Sequence, residues 1–139
     1  MCIRDRCRPF ADRIIFTGWL NADQLNEWYR RADVLAVPSW YEPFGMVILE
    51  GMLHGLAIVA SDVGGPRAIR RDGVTGLLCA PKDAASLSRA LLRVVQDHEL
   101  RRRLGEQAAR DVRTRWLFDS VVQRMRNVYF ELIASAPTI

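Results

Sequence analysis

The sequence has one lysine, three cysteines and no apolar run that approaches the roughly 18 residues of a membrane-spanning helix. Half of its residues are hydrophobic, so the composition predicts one soluble globular domain without a transmembrane span. With Cys2 set aside as part of a non-native leader, Cys7 and Cys79 have neither zinc-ligand nor CxxC spacing, which argues against a zinc site and a redox pair. The N-terminus lacks the hydrophobic stretch of a secretory signal, and we therefore expect a cytoplasmic location.

Two further absences exclude classes of binding protein. No strand-like run is followed by G-x-G-x-x-G, so a nicotinamide dehydrogenase domain is a weak hypothesis. The net charge of +4 comes from 19 arginines and Lys82, interspersed with acids. Mixed charges of this kind are typical of solvated helix faces, and no stretch combines basic and aromatic residues. We expect no nucleic-acid partner.

Strand-like and helix-like segments alternate along the chain. The pattern predicts an α/β, Rossmann-like parallel sheet with helices on both faces and additional C-terminal helices. The predicted strands are Arg13–Gly18, Asp33–Pro38, Ala57–Ala60 and Leu77–Ala80. The predicted helices are 22–31, capped by Asn21, then 44–54, a short helix from Pro66, and 86–96, 98–113 and 116–134.

Two carboxylates, Glu42 and Glu50, stand eight residues apart after the second predicted strand. Glu50 follows the apolar run Met46–Leu49, and an ionised carboxylate buried there would cost several kcal/mol without a hydrogen-bonding partner. We interpret Glu50 as an acid that holds hydroxyl groups of a ligand. The alternative is a glutamate at the helix rim that points into water.

The loop between this strand and the following helix is the place where open α/β sheets bind ligands. A helix that starts near Phe44 would leave the backbone N–H groups of Gly45, Met46 and Val47 free to bind phosphate oxygens. Glu50, one turn beyond Met46, could reach back to a sugar attached to that phosphate. With Glu42 near a second polyhydroxylated group, the arrangement indicates a sugar nucleotide.

Several ordered motifs then carry a family resemblance from about Ile14 to Leu92. The chain resembles the donor-binding half of a retaining GT-B glycosyltransferase of family 4. The motifs that support the resemblance are Pro38-Ser-x-x-Glu-Pro-Phe-Gly-x-x-x-x-Glu50, Ala60-Ser-Asp-Val-Gly-Gly65 and Asp72-Gly-x-Thr-Gly-Leu-Leu. Their agreement in order is more specific than the bare spacing of two glutamates.

The resemblance implies a role for each matching residue. Glu50 would bind the ribose hydroxyls, and Glu42 would contact the transferred sugar and place it for attack, as the catalytic residue. Backbone amides from Phe44 to Val47 would hold the sugar and the diphosphate, and Leu20, in the loop Gly18–Asn21, would read the base. The resemblance also implies no cofactor and no metal, with a donor phosphate oxygen taking the acceptor proton.

Two departures from the family pattern bear on activity. Ala68 stands where many relatives have an acid, three residues after the glycine pair. The basic residues that neutralise the donor diphosphate, and the acceptor-binding domain, belong to an upstream part that this chain does not contain. Since charge neutralisation drives such transfers, we expect a fragment that holds part of a donor with negligible turnover.

The expected organisation has three parts. Residues 1–13, which begin like a translated sequencing adapter, form a non-native or disordered leader, and residues 14–115 form the nucleotide-sugar-binding domain. Residues 116–139 form a helix that crosses back to the missing N-terminal domain, with packing inside this domain as the alternative. Its apolar stripe consists of Leu117, Val121, Met125, Val128 and Leu132.

The expected partners are the nucleotide-sugar donor and the missing N-terminal domain. Arg101–Arg103 could also contact an anionic membrane, peripherally at its inner face, if the acceptor is a lipid. Two alternative functions stay open at this point: a sugar-nucleotide epimerase of the same architecture, and a non-catalytic nucleotide-sugar-binding module. An epimerase would need acid and base residues poised at the sugar, and the sequence does not show a clear pair.

Overall fold

A computed structural model describes residues 7–135, in two compact units. The described part of the first unit is 7–30, and that of the second is 31–135. The predicted leader, residues 1–13, falls partly outside the described range, and its described end contains a 3-10 turn at Arg8–Phe10. The predicted domain boundaries after residues 13 and 115 stay predictions.

The first unit leads into helix α1, Ala22–Arg31. The Asn21 Oδ1 accepts from the Gln24 N–H at 2.9 Å, and the Gln24 side chain accepts from the Asn21 N–H at 3.0 Å. This reciprocal capping box confirms the predicted cap. The predicted strand Arg13–Gly18 is wrong, because the structure has no strand there. Apolar residues such as Ile14 and Ile15 favour extended backbone, but a strand also requires a hydrogen-bonded neighbour.

The second unit contains a parallel sheet of three strands in the order β1-β2-β3. The strands are β1 (Val34–Val37), β2 (Ala57–Ser61) and β3 (Leu77–Cys79). Val34 pairs with Ala57 and Val59 pairs with Leu77. Every residue of β2 is buried, as expected for the central strand of a parallel sheet covered on both faces.

Five α-helices follow α1 and β1 in the described range. They are α2 (Met46–Leu53), α3 (Gly64–Ile69), α4 (Ala84–Gln96), α5 (His98–Arg115) and α6 (Phe118–Ser135). Two of the predicted starts shift: α2 begins at Met46 rather than Phe44, and α3 begins at Gly64 rather than Pro66. The remaining predicted helices and strands are confirmed within a few residues.

Both faces of the sheet are covered by helices, as predicted. On one face, Ala57, Val59 and Leu77 pack against α4 and α5 through Val94, Leu100 and Leu104. On the other face α2 lies very close: a Cβ added at Gly51 would stand 2.5 Å from Leu35 Cδ2 and 3.0 Å from Ile58 Cδ1. Each fully buried aliphatic side chain of this core stabilises the fold by roughly 1.5–3 kcal/mol.

In the described part of the chain two charged side chains are buried, which corrects the expectation that the charges lie on solvated faces. Arg70 is 4% exposed, and its Nη1 donates to the carbonyls of Ile58 and Leu77 at 3.2 and 3.0 Å. Burial lowers the pKa of Arg70 to about 10. Asp111 is also buried and accepts from Arg71 and Arg115 at 2.9 and 3.1 Å. Removing a charged group from water costs free energy, and the hydrogen bonds that these two side chains make offset part of that cost.

The C-terminal helix α6 has no buried residue along its described length. Its apolar stripe is therefore open to solvent in this chain, and packing inside the unit does not cover it. Over residues 7–135, no helix combines the length and apolar character needed to cross a membrane.

Candidate functional site

The predicted site residues from Glu42 to Glu50 lie between the end of β1 and the second turn of α2. Because the three strands are parallel, their carboxyl ends share one edge of the sheet, and the loop that follows Val37 starts there. Glu42 and Val47 are half-buried, whereas Phe44 and Met46 are exposed. The second unit thus brings together the predicted site residues from Glu42 to Glu50.

Gly45 organises the start of α2. Its backbone is left-handed, with φ 94° and ψ 46°, which only glycine adopts without strain. The Gly45 carbonyl accepts from the Ile48 N–H at 2.9 Å and so begins the helix, and no side chain caps it. The first N–H groups of α2, at Met46 and Val47, lack intrahelical acceptors by geometry, and the helix dipole adds positive potential there. The start of α2 can therefore bind an anion.

Glu50 lies on the same face of α2 as Met46, one turn further along. The opposite face, with Ile48, Leu49 and Met52, is buried. Glu50 itself is half-buried, so its side chain is less buried than its apolar neighbours in sequence led us to expect. The physical reason is that only one face of this apolar helix meets the core, and Glu50 borders the open face.

The pair Gly64-Gly65 fixes the loop that carries Glu42. The Gly65 N–H donates to the Glu42 carbonyl at 2.9 Å. A Cβ added at Gly65 would stand 2.0 Å from the Phe44 carbonyl oxygen, and one at Gly64 would stand 2.8 Å from that of Glu42. The glycine pair therefore permits close contact between α3 and the site loop.

An ion pair follows β2 beside the glycines. Arg67 donates from Nε and Nη2 to the two carboxylate oxygens of Asp62, both at 2.7 Å. The hydrogen bonds from Arg67 hold the pKa of Asp62 below its usual value. Sequence reasoning did not single out Arg67, although it directly precedes Ala68, the position where an acid was expected.

An aromatic contact supports the loop from the other side. The rings of Phe44 and Trp116 meet edge to face, with centroids 6.1 Å apart and planes at 77°. The guanidinium carbons of Arg115 and Arg124 lie 5.5 and 5.8 Å from the centre of the Trp116 ring. Trp116 lies between α5 and α6, so the junction of the last two helices touches the site loop. The only sequence signal was an aromatic residue at a helix boundary.

A cavity of about 260 Å³ opens at the same edge of the sheet. It is lined by Pro38, Trp40, Ser61, Cys79, Ala80, Lys82, Asp83, Ala84 and Leu87. Glu42, Phe44–Val47 and Glu50 lie outside that lining.

Two further expectations concern Leu20 and metals. Leu20 lies in the first unit, in the irregular segment before α1, and its role in reading the base stays a prediction. Within the described ranges, no group of three or more His, Cys, Asp or Glu side chains could hold a metal ion. The metal-free site also stays a prediction.

Comparison with known proteins gives consistent matches. The family model described as Glycosyl transferases group 1 matches residues 8–111. A D-inositol 3-phosphate glycosyltransferase of Thermomonospora curvata is 42% identical over 119 residues, or 86% of this chain and 27% of that protein.

Two solved structures show the same fold. Sucrose-phosphate synthase from Thermosynechococcus elongatus matches with a TM-score of 0.82 and 33% identity, over 96% of this chain and 34% of the other. HepE from Anabaena, in complex with UDP, matches with a TM-score of 0.82 and 25% identity, over 93% of this chain and 36% of the other. The chain therefore spans about a third of the length of these proteins.

Proposed function

Because the chain belongs to the glycosyl transferase group 1 family, we propose that it is the donor-binding part of a retaining glycosyltransferase that uses a nucleotide-diphosphate sugar. Its fold is that of GT-B glycosyltransferases. The epimerase alternative is not favoured, since the matched relatives are named for sugar transfer or synthesis. The full protein would supply the acceptor site and further basic residues.

The observation that carries the proposal is the start of α2. An uncapped helix N-terminus, led by the left-handed Gly45, lies at the ligand-binding edge of a parallel sheet. The backbone N–H groups of Met46 and Val47 would bind the donor diphosphate. Glu50, on the same helix face, would accept hydrogen bonds from the ribose hydroxyls.

Glu42 would act on the transferred sugar. Its backbone carbonyl is held by Gly65, so its position in the loop is fixed from α3. Accepting hydrogen bonds from the sugar hydroxyls would orient the anomeric carbon toward an acceptor. The bond from that carbon to the donor phosphate would break as the bond to the acceptor oxygen forms, and a donor phosphate oxygen would take the acceptor proton. No metal or cofactor is required in this scheme.

This chain alone should bind donor with negligible turnover. Negative charge develops on the leaving diphosphate, and a helix N-terminus by itself neutralises only about half a charge. Uridine diphosphate is the first ligand to test, because HepE was solved with UDP.

Isothermal titration calorimetry with uridine, guanosine and adenosine diphosphates and their sugars tests the proposal. Glu50→Ala should weaken nucleotide binding by roughly 10- to 100-fold, since a hydrogen bond to a charged group is worth roughly 1.5–3 kcal/mol. Glu42→Ala should affect the sugar-bearing ligands and leave the free diphosphates almost unchanged. Glu131→Ala, an exposed acid on α6, is the control and should change neither.

Two results would contradict the proposal. One is the absence of binding by every nucleotide in a protein that circular dichroism shows to be folded. The other is an equal loss of free diphosphate binding in Glu42→Ala and Glu50→Ala, which would remove the separate roles of the two acids.

A further inference from the structure

The cavity at the carboxyl edge of the sheet is built from all three strands. Pro38 follows β1, Ser61 ends β2, and Cys79 ends β3. Its volume of about 260 Å³ lies just below the range of about 300–1,000 Å³ typical of small-molecule sites, and suits a single sugar-sized ring. The proposed donor residues lie outside its lining, so the cavity has its own chemistry.

Trp40 and Lys82 meet at the cavity, and both side chains belong to its lining. The Lys82 Nζ lies 5.1 Å from the centre of the Trp40 ring, within cation–π distance. Trp40 is 70% exposed, which is unusual for a large aromatic side chain in a structured loop. A flat apolar surface and an ammonium group are thus held side by side.

The backbone at Lys82 is strained. Its φ is 60°, and among the described residues it is the one non-glycine residue with positive φ. Side chains in this conformation carry an energetic cost, and such strain is concentrated at functional sites. The turn is fixed on both sides of Lys82, because the Ala80 N–H donates to Ser86 Oγ at 3.0 Å and Asp83 Oδ1 accepts from the Ser86 N–H at 2.9 Å.

The polar groups of the cavity are few and defined. Ser61 is buried at the end of β2 and contributes a hydroxyl. The Asp83 carboxylate is engaged as the cap of α4, which leaves the Lys82 ammonium as the charged group with donors available for a ligand. The remaining walls are mainly apolar, a combination that matches small-molecule sites with a few orienting polar groups.

We propose that this cavity is a second ligand site, for a small phosphorylated sugar or polyol. Lys82 binds the phosphate, and the ring of the ligand packs on Trp40. The proposal rests on the cavity and the strained lysine, and it does not depend on the donor site at α2.

Lys82 is the single lysine of the sequence, which makes the test selective. Reductive methylation with ¹³C keeps the positive charge and places one labelled side chain at the cavity, with the N-terminal amine as the second signal. Titration with glucose 6-phosphate should shift the Lys82 methyl signal to saturation. Inorganic phosphate should bind more weakly, and glucose should leave the signal unchanged.

Two variants separate binding from folding. Lys82→Gly should raise the melting temperature, because glycine adopts positive φ without strain, yet weaken glucose 6-phosphate binding by roughly tenfold or more in calorimetry. Trp40→Leu should also weaken that binding. Arg93→Gln, an exposed change on α4, is the matched control and should alter neither property.

The proposal is overturned if glucose 6-phosphate produces no saturable shift in the folded protein, or if Lys82→Gly binds it as tightly as the parent chain. It is also overturned if UDP displaces glucose 6-phosphate competitively or if Glu50→Ala abolishes its binding, because the two sites would then be one. Loss of UDP binding alone would refute the donor site and leave this proposal standing.

Discussion

Gly65 shows how a single missing side chain positions the site. Its backbone N–H holds the Glu42 carbonyl, and its Cα lies so close to Phe44 that a Cβ would stand 2.0 Å from the Phe44 oxygen. The atom that such a Cβ would meet belongs to the backbone of Phe44, which cannot move aside as a flexible side chain can. The segment before Gly45 is therefore fixed by packing against α3, and this contact also fixes the position of the start of α2.

Gly65→Ala should destabilise the fold by about 1–3 kcal/mol, the usual cost of overpacking, and should also weaken UDP binding by displacing the loop. Urea unfolding measures the first effect, and calorimetry under conditions where the variant stays folded measures the second. Gly105→Ala is the matched control, because its Cβ would also stand 2.0 Å from a backbone oxygen, that of Gly55.

Gly105→Ala should lose comparable stability and keep its UDP affinity, since Gly55 lies at the far end of α2. If both variants lose UDP affinity to the same extent, general destabilisation explains the effect and the specific role of Gly65 is refuted.

At the scale of elements, the junction of α5 and α6 supports the site loop. Trp116 contacts Phe44 edge to face, and Arg124 of α6 lies over the Trp116 ring while donating to the Arg115 carbonyl. Within residues 7–135, the buried Trp116 Nε1 has no hydrogen-bond partner, so apolar and cation–π contacts hold the ring. The C-terminal helix is thus connected through one aromatic side chain to the loop that precedes Gly45.

Trp116→Leu should weaken UDP binding severalfold, because an edge-to-face pair contributes about 0.5–1.5 kcal/mol beyond simple burial and Phe44 would lose its support. Trp116→Phe should restore most of the affinity, since it keeps an aromatic partner. Calorimetry with UDP measures both, and Phe118→Leu, an exposed aromatic change two residues further on, serves as the control.

If Trp116 only stabilises the fold, Trp116→Leu should lower the melting temperature and leave the UDP affinity of the folded protein unchanged. That result, or a failure of Trp116→Phe to recover binding, would remove the connection between α6 and the loop.

At the scale of the whole molecule, α6 carries an apolar surface that nothing in the described range covers. Val121, Arg124, Met125, Val128 and Tyr129 line a groove of about 350 Å³ along it. Exposed apolar patches of this kind usually mark a contact with another chain or domain. The chain spans about a third of the length of its relatives, and we propose that another domain or chain covers this groove.

Without that covering, the chain should self-associate in a concentration-dependent manner. Sedimentation velocity from micromolar to submillimolar concentration should show a rising average mass. Val128→Glu, within the groove, should shift the protein toward monomer, and Gln123→Glu, on the opposite side of the helix, should not. A monomer throughout this range would contradict the prediction.

Most of the elements follow from local sequence, whereas the contacts that position the site do not. The capping pair Asn21 and Gln24 and the apolar run of β2 are short-range signals, and they predict the helix and strand that form. The segment Arg13–Gly18 has a similar apolar signal and forms no strand, because pairing depends on a neighbour that local pattern does not specify.

The sequence by itself determined the alternation of strands and helices, the loop with Glu42, and the start of α2 to within two residues, since periodicity, caps and glycine conformations act within a few residues. Only the tertiary structure decided that Gly65 and Trp116 hold this loop, that Arg70 is buried, and that Trp40 and Lys82 meet at a cavity. Apart from the hydrogen bonds of Arg70, which span 7 and 12 positions, these contacts join residues about 20 to 70 positions apart. They therefore depend on how helices pack on the sheet rather than on any local preference.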